Sequence, residues 1–257
     1  LPASDLTLLT EIALRAGEIA RSFVGNELSI QQKPDDAGPV TAADLAVNTM
    51  LEDRLREARP DYGWLSEEST DDDTRQGKER VFVVDPIDGT RAFIEGGKTW
   101  SHALAVVENG EPVAAVVYLP MMDKVYTATR GQGARLNGLP IGVSATKQPD
   151  EANVLAVKHS ADPQFWTHPV PNFKRHHRPS LAYRLSLVAQ GRYDAMFTFR
   201  RSWEWDIAAG ALILAEAGAR VTDRRGSPLR FNNPVPQTDG VVGANPKLHA
   251  ALLDRMA

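Results

Sequence analysis

Apolar residues recur at helical spacing at Leu9, Ile12, Ala13, Ala16, Ile19, Ala20 and Phe23, behind Ser4, which suits an N-cap. The pattern breaks at "NELSIQQKPDDAGPV", which reads as an extended piece followed by a loop. A second helix is predicted from about Thr41, with Val47, Leu51 and Leu55 as its buried stripe and "ARPDYG" as its end. "YGWLSEE" reads as a short strand that runs into Glu67 and Glu68. "STDDDTRQGKER" is polar and reads as a solvated surface loop. The run Val81–Val84 reads as a buried strand. Residues 101–118 alternate or run apolar around "ENGE", which signals a hairpin. "KVYTATRGQGARLNGLPI" continues with short strands and glycine turns.

Beyond about Val143 the pattern changes. "NVLAVKHS" reads as a strand, "LAYRLSLVAQG" as a helix closed by Gly191, "YDAMFTF" as a strand, and "WDIAAGALILAEAG" as a helix closed by Gly218. Strands alternating with helices predict an α/β arrangement of layers. The expected division is an N-terminal α+β lobe over 1–143 and a C-terminal α/β lobe over 144–257.

Composition narrows the function classes. With 257 residues, 42% hydrophobic and 24% charged, the chain can bury a large core. A net charge of −4 gives no electrostatic footprint for nucleic acid over the chain as a whole. No apolar run approaches the roughly eighteen residues of a membrane span. The opening stretch is amphipathic and carries Asp5 and Glu11, so no signal peptide is expected and a cytoplasmic location fits. The absence of cysteine excludes disulfides, thiolate metal sites and a cysteine nucleophile.

The chemistry concentrates in "VFVVDPIDGTRAFIEGG". A buried strand delivers Asp85, and Asp88 follows three residues on, which can bring two carboxylates into one turn. Gly89 lets a ligand approach the backbone, and Thr90 opens a short helix whose free N–H groups suit a phosphate. Oxygen donors without Cys or His point to Mg²⁺ rather than zinc. Taken alone, "DxxD" also fits a tight turn capped by aspartate. Asp44 and Asp206 each fit a first-turn aspartate that complements a helix dipole, and Glu67 and Glu68 fit solvated surface.

Together these stretches resemble the inositol monophosphatase superfamily of Mg²⁺-dependent, lithium-inhibited phosphatases. "WLSEES", "DPIDGT" and "WDIAAG" carry the likeness, with "VTAAD" upstream and "EAGARVTD" downstream, so it covers essentially the whole chain. The resemblance implies a layered αβαβα sandwich, shared with fructose-1,6-bisphosphatase. It implies two or three Mg²⁺ ions held by Glu67, Asp85, the Ile87 carbonyl, Asp88 and Asp206. Asp44 and Thr90 would position the attacking water and take its proton, with Glu67 also in the catalytic set. The Gly89 and Thr90 amides would hold the phosphate. Glu68 would support the ligands rather than join them. The partner is a small phosphate ester, and the family includes homodimers and monomers.

The substrate is read from departures within that family. Inositol monophosphatases place a glutamate seven residues before the "WD" aspartate; here Phe199 stands there. Pro179 and Leu181 replace small residues. The 3′(2′),5′-bisphosphate nucleotidase branch carries a lysine where this chain has Arg184. These features favour 3′-phosphoadenosine 5′-phosphate, with Phe199 or Trp203 either stacking on adenine or simply packing in the interior, and Arg184 or Lys158 meeting the second phosphate. Asp88 and Asp206 would also face the substrate. Inositol 1-phosphate is the alternative, followed by histidinol phosphate, which Trp100 suggests. The basic cluster "FKRHHRPS" reads as a solvated loop or as an anion-attracting rim. A reading of another class is a regulatory or RNA-associated protein that keeps the phosphatase fold.

Overall fold

The computed structural model describes residues 4–26, 28–33, 38–71 and 73–257. Helix α1 (Asp5–Phe23) begins where the Ser4 hydroxyl accepts the Thr7 amide at 3.2 Å. The stretch expected to be extended forms a two-stranded antiparallel ribbon, β1 (Ile30–Gln32) and β2 (Pro39–Thr41). Glu27 and residues 34–37 of that stretch, where part of the loop is expected, lie outside the described residues. Helix α2 (Ala42–Ala58) opens with a capping box: the Thr41 hydroxyl accepts from the Ala43 amide, and Asp44 Oδ2 accepts the Thr41 amide at 2.8 Å.

A seven-stranded sheet follows in chain order: β3 (Gly63–Ser66), β4 (Arg80–Asp88), β5 (Ser101–Glu108), β6 (Glu111–Leu119), β7 (Lys124–Thr129), β8 (Ala134–Leu136) and β9 (Leu139–Pro140). Only β3 and β4 pair in parallel. The β5–β6 hairpin turns on Asn109 and Gly110, with φ of 51° and 80°, the left-handed pair that matches strand twist. The short helix α3 (Thr90–Ile94) leaves β4.

The polar stretch after Glu68 departs from the expected solvated loop. Arg75 is fully buried there, doubly bonded to Asp71 and donating to Asn232 Oδ1 at 2.7 Å. A guanidinium with several fixed acceptors can be buried where an unpaired charge cannot. Asp72 in this stretch is outside the described residues.

The second sheet has five strands in the order β11 (Lys174–His176), β10 (Asn153–Leu155), β12 (Ala195–Thr198), β16 (Val241–Ala244) and β14 (Arg220–Thr222). Strands β13 (Ser202–Trp203) and β15 (Gln237–Thr238) form a separate antiparallel pair. Helices α4 (Leu181–Ala189), α5 (Glu204–Glu216) and α6 (Pro246–Leu253) complete the chain.

Side-chain alternation on β4 sorts the layers. Phe82 and Val84 pack with Leu51 and Leu55 of α2 and with α1. Val81 and Val83 point the other way, into the cluster of Leu185 on α4 and Ile207 and Ile213 on α5. That middle cluster also takes Met196 of β12 and Val241 of β16. The far face of the second sheet, Val154, Ala195, Phe197 and Val242, packs on Leu248 and Leu252 of α6. The order is helices, sheet, helices, sheet, helix: the αβαβα sandwich expected. Burial on both faces explains why β4 reads as an unbroken apolar run. Among the described residues, no helix is long and apolar enough to cross a membrane.

Candidate active site

Strand register brings the first carboxylates together. In the parallel β3–β4 pair Ser66 stands opposite Val84, and the Glu67 amide continues the ladder to the Val84 carbonyl at 3.2 Å. Glu67 therefore emerges beside Asp85. Helix α5 packs on the same sheet and brings in Asp206 from its first turn. Carboxylate oxygens of Glu67, Asp85 and Asp206 all lie within 4.8 Å of one another. Burial pushes Asp85 well above the usual carboxylate range, and the charges of Glu67, Asp88 and Asp206 push it further. Burial raises Asp206 likewise, with Asp88 and Glu67 adding to the effect. Asp85 Oδ1 is buried with no hydrogen-bond partner among the described residues. An orphaned buried carboxylate oxygen inside a cluster of like charges fits a bound cation, and a donor set made only of oxygen fits a hard one.

Asp88 does more than face this cluster. Its Oδ2 accepts the Ser180 hydroxyl and the Ala182 amide, both at 2.7 Å, and its Oδ1 accepts the Leu181 amide at 3.2 Å. It thus caps α4 from a distant strand. Burial still raises its pKa to about 6 against these bonds. Gly89 follows with φ of 100°, a left-handed conformation that glycine alone adopts freely, and turns the chain into α3.

Asp44 lies on α2, buried, with its Oδ1 3.3 Å from the Thr90 hydroxyl. That hydroxyl is also 3.1 Å from the Ile87 carbonyl. It has one proton, so it can donate to one of these acceptors at a time. Burial raises the Asp44 pKa despite its bonds to Thr41.

Lys33 was not singled out from the sequence. Its ammonium bridges Glu67 Oε1 and Glu68 Oε1, both at 2.7 Å, and so offsets part of the repulsion between the paired glutamates. Burial raises the Glu68 pKa to about 7, which Lys33 offsets only in part. Asn48 supports the same corner: it accepts from the Ser66 hydroxyl at 2.7 Å and donates to Ser69 at 3.0 Å. An amide and a lysine in ordinary helix and ribbon contexts carry no sequence signal for such roles.

A cleft of about 720 Å³ opens over the carboxylates. Its lining brings Glu67, Gly89 and Thr90 together with His159, His177, Pro179, Arg184 and Arg200. Arg184 has less freedom than expected. Its Nε donates to the Arg178 carbonyl, and one terminal nitrogen donates to His177 Nε2 at 2.8 Å, so it pins the loop before α4. Arg200 is exposed and close enough to lower the Asp206 pKa. The basic cluster is also not a free loop: Lys174–His176 is edge strand β11, and Arg178 donates to the Tyr193 hydroxyl at 3.0 Å.

The aromatic platform expected for adenine is not where the sequence suggested. Phe199 is buried, stacked on Phe197 at 5.3 Å and 18° and 4.9 Å from Phe165. It stands two residues beyond Phe197, so strand alternation turns it into the layer beneath α6 rather than toward the cleft. Trp203 is exposed and has one face stacked on Trp205, at 4.7 Å and 8°, and it does not line the cleft. Lys158 is exposed, and its neighbours Val157 and His159 line the cleft instead.

The sequence model of the inositol monophosphatase family matches residues 3–256. The chain belongs to the inositol monophosphatase family. It is a phosphatase of that family. It is 32% identical to the 3′(2′),5′-bisphosphate nucleotidase CysQ of Escherichia coli (strain K12), over 88% of this chain and 93% of that one. It is 34% identical to the inositol-1-monophosphatase of Rhizobium meliloti (strain 1021), over 86% of each. The solved structure of the Thermotoga maritima IMPase superposes with a TM-score of 0.84 at 27% identity, covering 97% of this chain and 95% of that one. Such a family is generally metal-dependent, which agrees with the acidic group found here.

Proposed function

We propose that this chain is a Mg²⁺-dependent phosphomonoesterase whose substrate carries a second anionic group, with 3′-phosphoadenosine 5′-phosphate converted to AMP and phosphate as the favoured reaction. The observation that carries this reading is the basic lining of the cleft, where Arg184, Arg200, His159 and His177 share the space with Glu67, Gly89 and Thr90. A single phosphate is served by the carboxylate side and its metal. Further cationic groups in the same cleft suit a second phosphate. The likeness to CysQ supports the same choice.

In this reading Glu67, Asp85, Asp88, Asp206 and the Ile87 carbonyl hold two or three Mg²⁺ ions. Held there, Mg²⁺ would supply water activation and charge neutralisation for phosphoryl transfer. The Thr90 hydroxyl orients the attacking water, passing its own proton to Asp44 as it takes one from the water, and the raised pKa of Asp44 makes it a more effective base. The Gly89 and Thr90 amides meet the phosphoryl oxygens, where charge builds up in the transition state. No covalent phospho-enzyme is needed. Arg200 holds the non-reacting phosphate, and Arg184 shapes the wall on which it binds.

The test is kcat/KM for 3′-phosphoadenosine 5′-phosphate, inositol 1-phosphate and histidinol phosphate under identical Mg²⁺. The bisphosphate is expected to lead. A preference for inositol 1-phosphate would overturn the substrate and leave the phosphatase class standing.

A further inference from the structure

The ladder between β4 and β5 slips at the site. Asp85 pairs with Ala103 and Asp88 with Ser101, so two residues, Pro86 and Ile87, stand opposite one, His102. This bulge lets one strand set Asp85 in the acidic cluster and Asp88 at the start of α4. Its peptide carbonyls are held from two sides. The Ile87 carbonyl lies 3.1 Å from the Thr90 hydroxyl, and the Pro86 carbonyl is bonded to His102 Nδ1.

His102 is fully buried. A carbonyl can only accept, so Nδ1 must carry the proton, and burial keeps the ring neutral with a pKa of about 4. Its Nε2 then points into the interior as an acceptor with no partner among the described residues. Burying an unpaired ring nitrogen costs free energy. Trp100 packs against the ring at 5.6 Å and Tyr118 at 6.1 Å, contacts a phenylalanine could make as well. Packing alone therefore does not account for a histidine here, and the Nδ1–H bond to Pro86 does.

We propose that His102 is a positioning residue for the metal-binding turn: its Nδ1–H holds the Pro86 carbonyl and thereby sets the placement of Asp85 and Asp88 on either side of it. The inference rests on the reading of those aspartates as Mg²⁺ ligands. His102 touches neither metal nor substrate in this account and acts through the backbone.

The experiment compares His102→Phe, which keeps the ring and loses the N–H, with His102→Asn, whose side-chain amide places an N–H where Nδ1 was. Mg²⁺ binding to each full-length protein is measured by calorimetry, alongside kcat and the thermal midpoint. His102→Phe is expected to fold with an unchanged or higher midpoint, yet to bind Mg²⁺ about tenfold more weakly, the usual scale for losing a group that orients a metal ligand. Its kcat falls in parallel, and His102→Asn recovers both. His102→Met replaces the phenylalanine variant should that one not fold. Wild-type Mg²⁺ affinity in the folded Phe or Met variant overturns the inference while leaving the metal reading intact. So does an Asn variant as weak as the apolar one. A wild-type protein that binds no Mg²⁺ overturns both.

Discussion

Asp88 caps helix α4 from 94 residues away, accepting the Ala182 amide at 2.7 Å while its carboxyl group faces the acidic cluster. Asp85, three residues earlier, has one oxygen with no partner at all among the described residues. The two aspartates of one motif should therefore behave differently in the metal-free protein. Asp88→Ala leaves the first amides of α4 uncapped and should destabilise by about 1 kcal/mol or more, which lowers the thermal midpoint by about 2–4 °C per kcal/mol in a chain of this size. Asp85→Asn removes a buried charge and should raise the midpoint. Both variants should lose turnover. Thermal melts in EDTA at pH 7.5 check this, and equal destabilisation by both would refute the distinction.

Thr90→Ala separates proton handling from metal holding. It removes the hydroxyl between Asp44 and the Ile87 carbonyl and leaves in place every carboxylate proposed to hold metal. We expect kcat to fall by about 10²–10⁴-fold, the range for losing a positioned proton-transfer group, with Mg²⁺ affinity nearly unchanged by calorimetry. Loss of metal binding would move Thr90 into the ligand set.

The raised carboxyl groups set a pH dependence. Asp88 titrates at about 6 and Glu68 at about 7 in the folded protein, both above their unfolded values. Their stabilising contribution is full below the unfolded pKa values and is lost as pH rises through about 6 to 7. Buried histidines with lowered pKa, His102 and His249, act in the opposite sense, but equally with and without metal. The rise in thermal midpoint on adding Mg²⁺ isolates the carboxylates. It should be larger at pH 8 than at pH 5.5, because at the lower pH protons already neutralise the cluster. An equal rise at both would separate these groups from the metal site.

Much of this architecture was legible along the chain, and the gaps have physical causes. The spacing from Leu9 to Phe23 and the stripe of Val47, Leu51 and Leu55 marked α1 and α2, because each buries one face on a sheet. "ENGE" marked a hairpin through its left-handed Asn–Gly pair. Asn245 followed by Pro246 is an equally good start signal for α6, its side-chain oxygen accepting the Lys247 and Leu248 amides at 3.1 Å. Arg75 was misread as solvated because its acceptors, Asp71 and Asn232, are fixed partly by a loop 157 residues away. Phe199 was misplaced because the spacing in a motif does not tell which face of a strand a ring takes. Lys33 and His102 carry no local signal; each matters through a partner that only the fold supplies.

Two arginines on the cleft wall should give different kinetic signatures. Arg200 is exposed on that wall, so Arg200→Ala should raise KM for a bisphosphate nucleotide and change kcat/KM for a monophosphate little. Arg184 pins the loop at His177 and Arg178, so Arg184→Ala should impair every substrate. Steady-state kinetics of both variants on both substrate types check the division. Equal, substrate-independent effects would show that Arg200 has no special part in binding a second phosphate.

The most direct test of the account is phosphate release from 3′-phosphoadenosine 5′-phosphate as Mg²⁺ is titrated into EDTA-treated protein. The cluster of Glu67, Asp85 and Asp206, with its orphaned Asp85 oxygen, predicts no turnover without metal and recovery that saturates with Mg²⁺, and the family likeness adds inhibition by lithium. Full turnover in excess EDTA would contradict it.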